Sequence, residues 1–550
     1  MKKFLKVALI TLAVLIVAVV ITGIYLNNHW KRILNKELKI YVQKATDSLY
    51  HLSYTDIDMN VLTGNVSIAN AELRPDSLRY RQLQAEQRAT EAVFSLKVPV
   101  LEVRGVKIFR YLRKHEIAIG SLVLRDPEIT MVRDANSVDT SVKKGMDKIQ
   151  GLSLGRIDLS NITFLMTDIR KDSVRVLTKY TEVDVRVRDL QIDSLSAKDP
   201  DRFFYAREFD VDLKKYDFRT PDSLYWLHVK DVKYRAAAQE LSVAQAVLEP
   251  RYSRAEQDKR VGVQKDRFDI KFDSITAQGF KPQNLMQGQV FISMLRIKSG
   301  KLDVYRNRTL PMPPGNKLGS FPNQMILKLK LPLRLDTLKP GSVDITYTEL
   351  NPKSRKLGTV KFLDAGGTLT NITNVDTVIA RNKSMVADLH AKVMQSGPLK
   401  TRFEFMLDDS SGAFNITGHM GAMDAAKEFT PVVRGMAKVE IKSCNVKSVD
   451  FDIKGNEMSA KGVVKFIYSD LKINVMEEDE DTKKLKKKGF KSMLANIIAI
   501  KQDNPARGEA ARVAYPTNQR DIKKSFFNLV WKNLSKGLME IAATDAIQAL

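Results

Sequence analysis

Between Tyr54 and Val475 apolar residues recur at every second position in short runs, and no other feature limits the fold as tightly. Ile57, Met59 and Val61 alternate, then Val66 and Ile68, then Phe94, Leu96, Val98 and Val100. Ile162, Phe164 and Met166 follow, and Val183, Val185 and Val187. Further along come Leu302 and Val304, then Val343, Ile345 and Tyr347, then Phe403 and Phe405, and Leu471, Ile473 and Val475. A period of two puts successive side chains on opposite faces of an extended strand, so each run reads as a strand with one apolar face. Within 117–133, IAIGSLVLRDPEITMVR, the phase slips: Ile117 and Ile119, then Leu122 and Leu124, then Ile129 and Met131. Thr63-Gly64-Asn65, Asp126-Pro127, Pro340-Gly341 and Gly366-Gly367 read as turns between strands. No long helical pattern interrupts at the spacing of strand–helix–strand units. The expectation is mainly β, antiparallel, with short helical insertions such as one near 423–433.

An apolar sheet face has to be covered. A second sheet would do this and give sandwich domains; so would a ligand. The pattern alone leaves both open. The hydrophobic share of 44% is ordinary for a folded chain and supports a buried core.

The N-terminus differs in kind. Val7 to Leu26, VALITLAVLIVAVVITGIYL, carries no charge and matches a hydrocarbon thickness of ~30 Å as a helix. It exceeds the apolar region of a cleaved signal peptide and lacks a following small-residue cleavage site. Residues 1–27 are therefore expected to be an uncleaved signal anchor, with Leu9, Leu12, Leu15 and Val19 facing lipid. Lys2, Lys3 and Lys6 mark its cytoplasmic end, which places the body outside the cytoplasm. Residues 28–50 follow with a helical stripe of Trp30, Leu34, Leu38, Tyr41, Val42, Ala45 and Leu49, opposite Lys31, Lys36, Lys39 and Lys44. Such a helix packs on the first strands or lies at a membrane surface.

After the repeating body, 51–475, residues 476–506 form a charged linker and helix. Glu477 to Asp481 is an acidic run, and Lys483 to Lys488 a basic one. Residues 507–550 carry a last amphipathic helix with Phe527, Val530, Trp531, Leu534, Leu538 and Ile541 on one face and Lys523, Lys524, Lys532 and Lys536 near the other. It suits either capping of the sheet or contact with a membrane interface.

Internal repetition is weak. Gly300-Lys301-Leu302-Asp303-Val304-Tyr305 resembles Gly341-Ser342-Val343-Asp344-Ile345-Thr346-Tyr347, and Asp-Ser-apolar triplets start at Asp76, Asp193, Asp222 and Asp273. Asp-Ser is good turn chemistry before a strand.

Catalytic motifs are missing. Six histidines, His29, His51, His115, His228, His390 and His419, share no metal-ligand spacing, and the single Cys444 excludes a disulfide within the chain and a cysteine-based zinc site. Gly151 to Gly155 matches G-x-S-x-G, but Ile157, Leu159, Ile162 and Phe164 continue as strand where a nucleophile elbow requires a helix. No enzyme, metal or cofactor is expected. The net charge of +25 is spread along the chain without a nucleic-acid recognition module, which favours anionic lipid headgroups or cell-surface polyanions over nucleic acid, or simply a basic solvated surface.

A resemblance adds to this reading. The signal anchor, the helix after it, Tyr54-Thr55-Asp56-Ile57-Asp58, Gly64-Asn65-Val66-Ser67-Ile68, Ile119-Gly120-Ser121-Leu122-Val123-Leu124 and Pro127-Glu128-Ile129 together resemble the AsmA-like group of bacterial envelope proteins, relatives of TamB and of chorein-type bridge-like lipid transfer proteins. The resemblance spans residues 1 to about 475. It implies an elongated, curled antiparallel sheet forming an apolar groove, anchored in the inner membrane with its body in the periplasm. The implied function is binding or conveying phospholipid for outer-membrane lipid homeostasis, with other envelope proteins as further partners.

The energetics suit that role. A phospholipid carries about 30 chain methylenes at ~0.8 kcal/mol each, so it will not cross water unshielded. A dry trough lets the chains slide while the headgroup stays wet. Candidate floor residues are Ile119, Leu122, Leu124, Ile162, Phe164, Val183, Val185, Val187, Leu302, Val304, Val343 and Ile345. The alternative function is a non-enzymatic scaffold assisting outer-membrane protein assembly, with the sheet as a binding platform.

Overall fold

The computed structural model describes residues 38–543, apart from 41, 45, 61–62, 91, 108–115, 135–150, 171–172, 194, 197–198, 200–201, 204, 438, 479–484 and 488–499. The protein is mainly β, with one large, mostly antiparallel sheet. Among the described residues no helix is long and apolar enough to cross a membrane. The expected anchor, with Leu9, Leu12, Leu15 and Val19, lies outside them. The chain divides into two compact units. One comprises 1–218, 229–243 and 281–287, the other 219–228, 244–280 and 288–550. The expected 51–475 body is thus shared between them.

In the first unit β1 (Tyr50–Ser53) and β2 (Asp56–Asn60) both pair with β3 (Asn65–Pro75), which pairs with β4 (Ala92–Val106). β5 (Glu116–Arg125) and β6 (Glu128–Asp134) lie end to end along β4 and, on their other side, along β7 (Gly151–Arg170). β8 (Ser173–Ile192) and β9 (Ala206–Arg219) complete the ladder. β5 and β6 run parallel to β7, against the all-antiparallel expectation. A parallel neighbour needs a long crossover, and residues 135–150 lie between β6 and β7.

The phase slips in the sequence mark β-bulges. Asn70 in β3, Asp126 between β5 and β6, Asn161 in β7 and Glu182 in β8 all have φ near +50°. The strand register places Asp126, Asn161 and Glu182 side by side, and Asn70 opposite the β4 segment just before them. The strands slip by one residue at the same height, so the register is unchanged from β3 to β7 and shifts only between β7 and β8, and Leu122 and Leu124 and then Ile129 and Met131 keep facing the same side. Asn161 Nδ2 donates to Asp126 Oδ1 at 2.6 Å, and the Asn161 amide to Asp184 Oδ1 at 2.8 Å. A second row crosses at Gly105, Gly120, Gly155 and Asp189, where Ile117 and Ile119 give way to Leu122 and Leu124. Backbones approach closely there: a Cβ on Gly155 would fall 2.8 Å from the Gly120 carbonyl oxygen. Asp126-Pro127 is therefore a bulge and not a chain reversal.

The apolar side of β3, of β5 and of the β4 and β7 segments beside it is sealed. Helical residues 38–40 and 42–44 bring Leu38 and Val42 into one core with Ile57, Val66, Ile68, Leu101, Val103, Leu122 and Leu154. Helix α1 (Ser77–Ala85) adds Leu83. Its N-cap Asp76 accepts from the Leu78 and Arg79 amides, each at 2.9 Å. For the described part of 28–50, packing on the first strands is what occurs.

β10 (Tyr225–Arg235) and β11 (Glu240–Pro250) come next in the chain. In the second unit β12 (Arg267–Gln278) pairs antiparallel with β13 (Val290–Asn307). β13 runs parallel to β14 (Leu333–Leu350), with the crossover 308–332 carrying a short helix of its own. β15 (Leu357–Thr373), β16 (Ser384–Val393), β17 (Gly397–Met406), β18 (Phe414–Met420), β20 (Val439–Gly455) and β21 (Ser459–Glu478) continue antiparallel. A two-residue β19 (Met423–Asp424) precedes a helix, α2 (Ala425–Ala437), at the insertion expected near 423–433. Pro340-Gly341 and Gly366-Gly367 again lie inside strands, β14 and β15, at bulges. A Cβ on Gly366 would meet the Gly341 carbonyl oxygen at 2.1 Å, so both strands require a bare backbone there. The paired sequences at 300–305 and 341–347 are parallel neighbours, with Leu302 beside Ile345 and Val304 beside Tyr347.

Asp126→Gly should leave urea-denaturation stability within ~1 kcal/mol of the parent. Asp126→Val should lose roughly 2–3 kcal/mol, because a β-branched residue is strained at positive φ; both variants lose the Asn161 bond, so strain alone separates them. Equal losses would remove the bulge row as a specific constraint.

Candidate functional site

Along the second unit's sheet, two apolar rows cross the strands in register. Phe268, Val304, Tyr347 and Val360 form one; Ile270, Leu302, Ile345 and Phe362 form the next. They sit two residues apart on each strand, so both rows share a face. All eight side chains are half-buried, and none belongs to a sealed core cluster. One end of the strip is charged: Arg306 pairs with Asp266 at 2.6 Å, and Arg308 with Glu349 at 2.6 Å. Glu349 also accepts from the Tyr347 hydroxyl at 3.0 Å. Burial, with the neighbouring Glu349 charge, raises the Tyr347 phenol well above its ordinary value, so it stays a donor.

The first unit has a matching strip across β8 and β9. Val183 faces Leu213, Val185 faces Val211 and Val187 faces Phe209, all half-buried. Aromatic rings extend it: Tyr180 stacks on Tyr216 at 5.0 Å, with Phe164 6.2 Å from Tyr180 and Phe218 6.4 Å from Tyr216.

The expected floor residues therefore separate. Val183, Val185, Leu302, Val304 and Ile345 lie on the half-buried strips, and Val187, also half-buried, packs against the first unit's core. Phe164 is half-buried against a small cluster of Ala92, Phe94 and Met131. Ile162 and Val343 are buried. Ile119, Leu122 and Leu124 are sealed in the first unit's core, in one cluster with Leu38 and Val42; they are packing residues there. Alternation identifies an apolar face but not what lies over it.

The opposite face of β16 to β21 is polar. His390, Lys400, His419, Asp450 and Lys465 stand directly opposite one another on successive strands. With Asp388, Arg402 and Phe451 they line a shallow cavity of about 720 Å³. Arg402 Nη1 contacts both Asp388 oxygens at 2.8 and 2.7 Å, and His419 Nδ1 lies 2.6 Å from Asp450 Oδ1. Sequence reading missed this row, because its members are far apart in the chain and only register joins them. Among the described residues no histidine, cysteine or carboxylate group is placed to hold a metal ion. Gly151 to Gly155 lies wholly within β7, so the G-x-S-x-G match has no elbow geometry.

Two short segments beside β21, β23 (Val513–Ala514) and β24 (Thr517–Gln519), precede the last helix, α3 (Phe526–Ala542); β22 (Leu485–Lys487) pairs near the end of β21. The helix docks through Phe526, Leu529, Asn533, Gly537 and Ile541. The Phe526 ring sits 5.0 Å from both Phe321 and Phe414 and 5.3 Å from Phe405. Asn533 is 0% exposed and donates to the carbonyls of Ala460 at 3.1 Å and Pro516 at 3.2 Å. A Cβ on Gly537 would fall 2.7 Å from Val464, so the small residue sets the helix-to-sheet distance. Arg520 lies over the Phe321 ring at 4.4 Å and donates to the carbonyls of Lys317 and Glu457 at 2.6 and 3.2 Å. The expected stripe was rotated: Leu534 and Leu538 pack partly on the core, while Phe527 and Trp531 face outward. Asn533 and Gly537, polar and small, hid the docking face from a hydrophobicity reading.

No protein-family model matches the chain, and no curated protein matches it.

Two measurements check this partition. Leu302→Ala and Ile345→Ala should each cost about 1 kcal/mol or less, whereas Leu122→Ala in the sealed core should cost ~2–5 kcal/mol. Equal costs would mean the strips are as closed as the core. Burial pushes the Cys444 thiol, inside the α3-contacting core, up to about 11. Only roughly one molecule in a thousand then carries a thiolate at about pH 8. A thiol reagent should leave the native protein unmodified there and label it fully once unfolded; rapid native labelling would show that this core opens.

Proposed function

We propose that the protein is a membrane-anchored envelope protein that binds or conveys phospholipid along the apolar face of its sheet. In this reading Val7–Leu26 holds it in the inner membrane and the body stands in the periplasm. The AsmA-like sequence features support this, and one observation carries it: eight apolar side chains aligned over four strands and covered by no core cluster. Acyl chains on such a strip replace water over apolar surface at roughly 25 cal/mol per Å². The Arg306–Asp266 and Arg308–Glu349 pairs at the strip's end offer polar partners to a headgroup. The chemistry needed is shielding alone, so no nucleophile, metal or cofactor takes part. The binding of acyl chains makes the sheet a curled, continuous groove in this proposal, and a scaffold for envelope-protein assembly is the outcome if no lipid is held.

The test is mass spectrometry of lipid retained by the full-length protein after exchange into a lipid-free amphiphile. The parent should retain phospholipid. Leu302→Glu/Ile345→Glu should retain at least tenfold less with an unchanged circular dichroism spectrum, because a charge on the strip repels acyl chains without disturbing a sealed core. A folded parent without lipid, or a variant that binds as the parent does, would overturn the proposal.

A further inference from the structure

We propose that the outward stripe of α3 docks the C-terminal unit onto an anionic bilayer surface. Phe527, Trp531 and Met539 are 64%, 59% and 61% exposed on a helix that is already fixed by another stripe. The fold gains little from them, and three large apolar side chains on one exposed helix face mark a binding surface. At 100° per residue, Phe527, Leu538 and Trp531 fall within about 40° of one another, with Met539 about 120° from Phe527. Ser535 lies between Trp531 and Met539, and Lys532 and Lys536 follow beyond Met539. From 521 to 542 there are four lysines, Lys523, Lys524, Lys532 and Lys536, against two carboxylates, Asp521 and Glu540. Among the described residues Lys523 and Lys532 make no ion pair, while Lys536 Nζ donates to the Thr517 carbonyl at 3.0 Å and lies 3.9 Å from Glu540.

Aromatic and apolar side chains bordered by lysines match the interface of a bilayer with anionic headgroups. The rings enter the headgroup layer while the lysines stay at its surface. A protein partner would have to supply an apolar patch and acidic groups together; a bilayer of anionic lipid supplies both without a specific fold. No residue of this surface belongs to the half-buried strips, so docking and lipid retention can fail independently.

The experiment uses the full chain held in phosphatidylcholine nanodiscs and presented to phosphatidylglycerol or phosphatidylcholine vesicles in flotation. The parent should float with phosphatidylglycerol vesicles, less with phosphatidylcholine, and less as salt rises. Phe527→Ser/Trp531→Ser and Lys532→Glu/Lys536→Glu should each lose at least tenfold in binding, while Met458→Ser, at an exposed apolar position off the helix, should not. With Trp30→Phe and Trp226→Phe in place, Trp531 fluorescence should shift to the blue and be quenched by brominated lipid. Parent-like binding by the aromatic double variant would overturn the proposal. So would self-association through this stripe without vesicle binding. Retained phospholipid should be unchanged in both double variants, which separates this result from the lipid-strip test.

Discussion

Side-chain parity governs this sheet. A strand of 18 or 20 residues, such as β7, β8 or β13, twists too far to keep one face on one side without interruption. The chain answers with bulges at matched heights. Asp126, Asn161 and Glu182 form one row, and Gly105, Gly120, Gly155 and Asp189 another. A single bulge would put its strand out of step with both neighbours. A row of them shifts all strands together and bends the sheet along one line. Asn and Asp serve here because they tolerate positive φ and can bond across the row, as Asn161 does to Asp126. Ser274 and Asp364 repeat the device in the second unit.

With parity preserved, coverage decides what each part of the face becomes. Where Leu38, Val42 and α1 lie over the first unit's strands, Leu122 and Val103 are fully enclosed. Where α3 lies over β21, Ile453 and Val464 are equally enclosed. Over the Val183–Val187 stretch of β8 with its β9 partners, and over the two rows of β12–β15, the side chains stay half-buried, while Leu190 and Ala206 at the other end of β8–β9 join the sealed core. The chemistry of the residues is the same in both situations; Val, Ile, Leu and Phe line each. The difference is the presence of a covering element, and this places the proposed lipid contacts on the strips and away from the sealed ends.

Much of this was legible in the sequence, though not always by its correct name. Alternation identified the strands and their apolar sides, and the helix near 423–433 appeared where expected. The slips at Gly120 and Asp126 were visible too, but Asp126-Pro127 and Pro340-Gly341 carry the same residue types as hairpin turns. Only pairing shows that the chain continues straight through them. Parallel pairing of β13 with β14 was hidden because a strand's pattern does not depend on its neighbour's direction. The α3 docking face was misjudged by one position. A fully buried Asn533 that satisfies two carbonyls, and a Gly537 that lets backbones approach, count as polar or neutral in any periodicity scan.

That last misjudgement bears on function. A helix that must only cap a sheet needs one apolar stripe, and α3 has its stripe at Phe526, Leu529 and Ile541. The outward Phe527, Trp531 and Met539 stay mostly exposed, with only the edge of the Phe527 ring against Phe526 at 5.2 Å, and exposed apolar surface of this size carries a cost in solubility. The two stripes overlap in sequence, so hydrophobicity alone merged them into one broad face. Burial separates them: one set holds the helix to the protein, and the other is left for something outside it. The lysines beside the second set favour an anionic surface. A bilayer meets that requirement with the least demand on shape, since it accepts rings at any position along its plane.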